Sequence, residues 1–178
     1  MYLMHDEPNI VSLTEGFIGW TAGIIDGEGH IRIDCHRHNT YAKTKTFSMY
    51  VRVGNTDPSM VLTLCSAWGG SFRHDREKTT NRADVYVWTI LSKQARHLLE
   101  TIEPFLVTKR SIARLCIDFQ KRQSEKIGLT LRTASNRLTL TPEEYAIRTD
   151  YVQQVRTFND KRRKYLNPPS LTVVNGVA

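Results

Sequence analysis

A chain of 178 residues, 40% of them hydrophobic, carries enough apolar material for one folded domain, which excludes a disordered tail. The net charge of +7 at pH 7 favours a polyanionic partner, and no apolar stretch approaches the roughly 18 residues of a membrane span. Cys35, Cys65 and Cys116 are far apart with no CxxC pair, which argues against a disulfide framework and fits a reducing interior.

The charge is unevenly spread. The opening segment contains Asp6, Glu7, Glu15, Asp26 and Glu28 and no Lys or Arg before His30, whereas residues 107–137 carry eight basic side chains against two acidic ones. Lys161, Arg162, Arg163 and Lys164 form a further basic run. Such asymmetry is the usual footprint of nucleic-acid binding, although a solvated basic surface has the same composition. Met1 to Pro8 show no basic segment leading into an apolar run, so no secretion signal is expected. The expected location is intracellular: the cytoplasm of a prokaryote or phage-infected cell, or an organelle.

In chain order, residues 1–12 read as an N-terminal arm, 13–167 as the single domain and 168–178 as a loose tail. Ser12-Leu13-Thr14-Glu15 has the form of a capping box and predicts a helix over about 13–26. HIRIDCHRH (30–38) and FSMYVRV (47–53) alternate apolar and polar residues with a period of two, the mark of half-buried strands joined as a hairpin. Asp57-Pro58 caps and opens a short helix to about Ala67, which Gly69-Gly70 ends. A second hairpin is predicted over 71–77 and 84–91, with Tyr86, Trp88 and Ile90 inward. Ser92 starts another helix that Pro104 interrupts, an amphipathic helix follows over about 108–122, and Thr141-Pro142-Glu143-Glu144 opens the last one. The order is α-β-β-α-β-β-α, an α+β fold.

The first helix is the most informative element. Gly16, Gly19, Gly23 and Gly27 recur at spacings of three and four and share one helical face. Several helix-interior glycines together cost about 3 kcal/mol relative to alanine, and close packing of another backbone would offset that. The helix ends in Asp26-Gly27-Glu28-Gly29, two acids where the macrodipole favours cations. A bound hard cation such as Mg²⁺ would relieve the mismatch, and solvated acids are the plain alternative. Cys35 and His36 point to opposite faces of a strand, so no zinc pair is expected there.

The string TAGIIDGEG (21–29) resembles the LAGLIDADG signature of homing endonucleases position by position, with Ile24, Gly27 and Glu28 as substitutions and Thr21 the least typical residue. The resemblance extends over roughly 13–160 and implies the LAGLIDADG homing endonuclease fold, with an antiparallel saddle-shaped sheet lying over the DNA major groove. Only one motif is present, so the resemblance implies a homodimer with Gly16, Gly19, Gly23 and Ala22 at the interface. The implied activity is metal-dependent hydrolysis of both strands of a long pseudo-palindromic DNA site, leaving 3′ overhangs. A non-cleaving nucleic-acid binder or intron maturase is the alternative on the same fold. Glu28 and the Gly27 carbonyl are the implied ligands of Mg²⁺ or Mn²⁺, with no small-molecule cofactor. Lys109 is the implied basic residue near the scissile phosphate, and Asn55 the residue that orders active-site water. The polar strand face nominates Arg32, Asp34, His36, His38, Tyr50 and Arg52 for base reading, with Arg73 a weaker nominee. Lys161, Arg162, Arg163 and Lys164 are expected past the last helix as phosphate contacts.

Overall fold

The computed structural model describes residues 13–37, 45–75, 84–132 and 137–166. Helix α1 spans Glu15–Glu28, and Thr14 rather than Ser12 caps it, its hydroxyl accepting from Phe17 N at 3.3 Å. The helix therefore starts and stops about two residues later than its sequence suggests, carrying all four glycines and Glu28 within it. Strands β1 (Gly29–Arg37) and β2 (Lys45–Asn55) pair antiparallel, with Arg32 opposite Tyr50 and Asp34 opposite Ser48. Helix α2 (Pro58–Trp68) opens as expected, Asp57 Oδ1 accepting from Ser59 N at 2.9 Å. Strands β3 (Ser71–Asp75) and β4 (Val85–Leu91) follow, then α3 (Ser92–Ile102), a 3₁₀ turn at Glu103–Phe105 where Pro104 stops the helix, and α4 (Arg110–Ser124). The sequence reading did not foresee the hairpin β5 (Leu129–Arg132) and β6 (Arg137–Leu140), nor that α5 (Pro142–Leu166) would run for 25 residues.

The main sheet has four antiparallel strands in the order β1-β2-β4-β3, so the two hairpins lie side by side through β2 and β4. Helices pack on one face of it. Ile31, Ile33, Met49, Val51, Val53, Trp88 and Ile90 point to that face and are fully buried against Ala22 and Ile25 of α1, Leu98 and Leu99 of α3, and Phe119 of α4. This inward set matches the period-two expectation, including Trp88 and Ile90. The opposite, outward face holds the alternate residues of each strand, polar along β1 and β2.

An ion network locks the last two helices. Glu144, 1% exposed, accepts from Arg122 Nε and Nη2 at 2.8 and 2.6 Å and from Arg148 Nε at 2.8 Å. Burial pushes this carboxyl upward, but the hydrogen bonds and charges of the two arginines outweigh it and hold the group below the usual glutamate range. Gly128, at φ +66°, packs where any Cβ would overlap Glu144, so only glycine fits the turn above the network. Replacing Glu144 with Gln leaves buried arginine charge unmatched, and urea denaturation should show a loss of about 3 kcal/mol. Because the folded-state value is depressed, this stabilisation is present above the unfolded glutamate range of about 4.3 and is lost as pH falls through the lower folded value. Acid unfolding of the Glu144→Gln protein should accordingly be less steep than that of the wild type below about pH 4.

Candidate nucleic-acid interface

At the C-terminal end of α1 two charged side chains exchange caps with the start of α4. Asp26 Oδ2 accepts from Val107 N at 2.6 Å and Thr108 N at 3.2 Å, while Oδ1 accepts from Thr108 Oγ1 at 3.0 Å and Lys109 N at 2.9 Å. Burial raises the Asp26 carboxyl, but these hydrogen bonds from Val107, Lys109 and Thr108 outweigh it and hold it below the usual aspartate range. In return Lys109, 4% exposed, sends its ammonium to the carbonyl of Ile25 at 2.6 Å and to that of Gly29. A cation thus does sit at the acidic helix end, as the dipole argument demands, but it is the chain's own Lys109. The Lys109 ammonium meets carbonyls on either side of Glu28, so it lies next to the acid with which the sequence grouped it. Gly29 is required here, because a Cβ would stand 2.6 Å from the Ile25 carbonyl oxygen.

With Asp26 consumed as a cap, Glu28 is the acid that remains, exposed and without a hydrogen-bond or ion-pair partner among the described residues. The described residues contain no group of three or more His, Cys, Asp or Glu side chains able to hold a metal. A divalent site at Glu28 would therefore need ligands beyond the acidic, His and Cys side chains of the described residues, and an exposed carboxylate suits that.

The glycine face of α1 is bare. Among the described residues a Cβ built at Gly16, Gly19, Gly23 or Gly27 meets nothing within 4 Å, so their packing does not require these glycines. Trp20, on the same side of the helix, is 38% exposed. Ala22 does not belong to this face: it is 0% exposed, packed into the core beneath α1, which corrects its assignment to a subunit interface.

The outward sheet face gathers Arg32, Asp34, His36, Tyr50, Arg52 and Arg73, as register confirms: Arg52 pairs with Thr89, Thr89 with Ser71, and Ser71 shares a side with Arg73. Several of them are already paired. Arg32 lies 3.6 Å from Asp34, Arg73 2.6 Å from Asp75, and Arg52 donates to Thr89 Oγ1 at 3.3 Å with its guanidinium 5.2 Å from the Tyr50 ring centroid. Tyr50 is only 8% exposed, roofed by these neighbours, so it offers far less surface for base reading than its strand position suggests. Burial, then the Asp34 charge, raise its phenol above the ordinary range. Thr89 and Asp75 join this face without having been singled out from sequence; the alternation of β3 and β4 points to them once the strand register is known.

Asn55 ends β2, where its Oδ1 accepts from Asp57 N at 2.8 Å and turns the chain into α2. Lys161, Arg162, Arg163 and Lys164 lie within α5 rather than past it, with side chains outside the described part. His38, the N-terminal arm and the C-terminal tail fall outside the described residues. No helix of the described residues is long and apolar enough to cross a membrane.

The chain has the LAGLIDADG homing endonuclease fold. Its structure is similar to that of the homing endonuclease I-CvuI in complex with its target, at TM-score 0.63 and 17% identity over 81% of this chain and 82% of that one. It is also similar to the homing endonuclease I-TnaI, at TM-score 0.55 and 16% identity over 81% and 96% of the two chains. The archaeal intron-encoded homing endonuclease I-Vdi141I, complexed with DNA, matches at TM-score 0.52 and 13% identity over 63% and 72%. The sequence itself matches no family model and no curated protein.

Asp26→Asn keeps shape but sets an amide N–H₂ against donors at one of its two oxygens. Thermal and chemical unfolding should show a loss of about 2–3 kcal/mol, from hydrogen bonds to a charged acceptor.

Proposed function

We propose that this protein is a site-specific homing endonuclease that cuts both strands of a long pseudo-palindromic DNA target by metal-dependent phosphodiester hydrolysis, acting as a homodimer in intron or intein mobility within the cell. The observation that carries this reading is the pairing of one unpartnered carboxylate, Glu28, with a bare glycine face on the same helix, beside a sheet face rich in arginine. Solved neighbours on this fold are bound to DNA, and the I-CvuI complexes were obtained in the presence of 2 mM Ca or of 2 mM Mg, the latter with DNA not cleaved, which supports DNA as substrate and is consistent with divalent-metal use.

Two copies joined through Gly16, Gly19 and Gly23 bring their Glu28 carboxylates together, which supplies the ligands that one chain lacks. Glu28 and the Gly27 carbonyl would hold Mg²⁺ or Mn²⁺ against the scissile phosphates, the rest of the shell coming from the partner copy, DNA and water. When bound, the ion supplies Lewis-acid polarisation of the phosphate and lowers the pKa of attacking water. Lys109 acts from behind as a positioning residue: by holding the carbonyls of Ile25 and Gly29 it sets the backbone on both sides of Glu28. Asn55 retains its amide N–H₂ for ordering water, its oxygen being committed to the turn. Arg32, Asp34, His36, Arg52 and Arg73 read base edges in the major groove, with His38 proposed for the same role from its sequence position, and Tyr50 stiffens Arg52. Lys161, Arg162, Arg163 and Lys164 add phosphate contacts.

Glu28→Gln should lose cleavage by at least 1,000-fold, on the order of the ~4 kcal/mol that a lost charged transition-state contact contributes, with DNA affinity retained. Cleaved sequences selected from a randomised duplex library with and without Mg²⁺ give the substrate for that assay. Undiminished cutting by the Gln variant ends the metal assignment, and binding without any cutting by wild type favours the non-cleaving binder.

Gly23→Leu meets open space in the single chain and gains about 1 kcal/mol of helix propensity. Sedimentation should nonetheless show it as a monomer with a native far-UV spectrum and no double-strand cleavage. A dimer of unchanged affinity places the interface elsewhere.

A further inference from the structure

At the end of β4 a pocket opens between the first turn of α3, Leu91 to Gln94, and the last turns of α4 with the following residue pair, where Gln120, Gln123, Ser124 and Lys126 form the second wall. We infer that this pocket binds one phosphodiester group of the DNA backbone in each half-site. The inference rests on the DNA reading above and adds to it a contact that fixes where the duplex lies along the sheet.

Four observations converge on an anion. The eleven-residue helix α3 begins with no side-chain cap, so the amides of its first turn lack the acceptor that most helices provide. Lys93 sits in that same turn, where the macrodipole disfavours a cation unless negative charge lies beside it. No acidic residue lines the pocket, and Lys126 supplies a second cation. Gln120, only 3% exposed, has no partner for Oε1, and its Nε2 reaches Ser124 Oγ at 3.5 Å, the limit of a hydrogen bond. A buried amide half-satisfied in this way calls for a ligand group; with its two ends exchanged, the weak 3.5 Å contact to Ser124 is given up and Nε2, a donor, takes the unsatisfied position that Oε1 now holds.

The backbone is shaped for the same purpose. Ser92 at φ +50° and Lys126 at φ +57° are the non-glycine residues in the left-handed region among those described, and they stand on opposite walls of this pocket. Conformations of this kind persist where the surroundings impose them, and they cluster at binding sites.

Location selects DNA over a free anion. Leu91 is the register partner of Tyr50 and, 51% exposed, belongs to the outward face, while Gln123 Nε2 donates to Phe47 O at 2.9 Å on the other side. The pocket thus borders the stretch of β2 that has β1 alone as neighbour, at the margin of the face that reads bases. A duplex lying on that face runs its backbone past this margin. Phosphate contacts of this type set register without carrying sequence information.

The test compares full-length wild type with Lys93→Gln/Lys126→Gly and with Gln120→Glu on a selected target duplex, by fluorescence anisotropy over a salt series. Loss of one phosphate contact per half-site should reduce the slope of log affinity against log salt by about 1.8 per dimer. Lys126→Gly also relieves the left-handed strain, so its melting temperature should hold or rise while DNA affinity falls; a merely structural role predicts the reverse. A methylphosphonate scan of the duplex should find one position per half-site whose neutralisation weakens wild type at least tenfold and leaves the double variant unaffected. Unchanged slopes, or no such masked position, overturn the assignment. If inorganic phosphate raises the melting temperature of wild type but not of the variants, while duplex binding is equal in both, the pocket takes free phosphate and the DNA role is overturned. Failure of the function reading looks different: wild type then binds no duplex at any salt concentration.

Discussion

The exchange of caps between α1 and α4 is the constraint from which the rest follows. Each helix end is satisfied by a side chain from the other: Asp26 takes the free amides at 107–109, and Lys109 takes the free carbonyls around residue 29. These bonds are charge-assisted, the class of hydrogen bond that is shorter and stronger than neutral ones. Their joint effect is to fix the direction in which α1 gives way to β1. That junction sets both the register of β1 on β2 and the exit point of Glu28. A sheet face and a carboxylate that would cooperate on one duplex under the proposed function are therefore positioned by a single clamp, with no long lever between them.

The glycine face then acquires a sharper meaning. In the single chain these residues have no close neighbour, so their helix-destabilising effect goes uncompensated where most proteins would place alanine. A selected chain tolerates such a loss only where another backbone arrives. The exposed Trp20 beside them supports the same conclusion from the opposite side, as a large apolar surface without an internal partner. Small residues that let helices approach and a large one that covers area together fit the interface of the proposed homodimer.

Much of this was legible in the residues. Period-two alternation located β1, β2 and β4 and their inward faces, because a half-buried strand leaves no other pattern. Proline and glycine positions marked the breaks at 58, 70 and 104. What failed to show were tertiary choices. Lys109 could be recognised as a cation at a helix start, but whether it turns to a phosphate outside or a carbonyl inside depends on where α1 ends in space. Ala22 looks like one more small residue of the signature, and only the packing direction of α1 separates it from Gly19 and Gly23. Strands β5 and β6 pair antiparallel, but their Leu-Thr alternation is too short to stand out between two helices, and a strand pair of this size is marginal without the body it is anchored to. The pocket at the start of α3 was invisible for a similar reason: it joins residues 91–94 to 120–126, and nothing local connects them.

The arrangement of charge divides labour on the molecule. On the outward sheet face Arg32 and Arg73 are matched by Asp34 and Asp75, and Arg52 is held by Thr89 and Tyr50, so this face carries little net charge despite its arginines. Arginines restrained in this way lose less rotamer freedom on meeting a base edge, and a wrong base leaves both partners of the pair poorly satisfied. That favours discrimination over attraction. The positive excess of the chain lies elsewhere, in the block 107–137 and the run at 161–164. On the proposed function, attraction to the duplex and choice of sequence would be served by separate residues, which would allow the reading face to change its sequence preference without surrendering affinity.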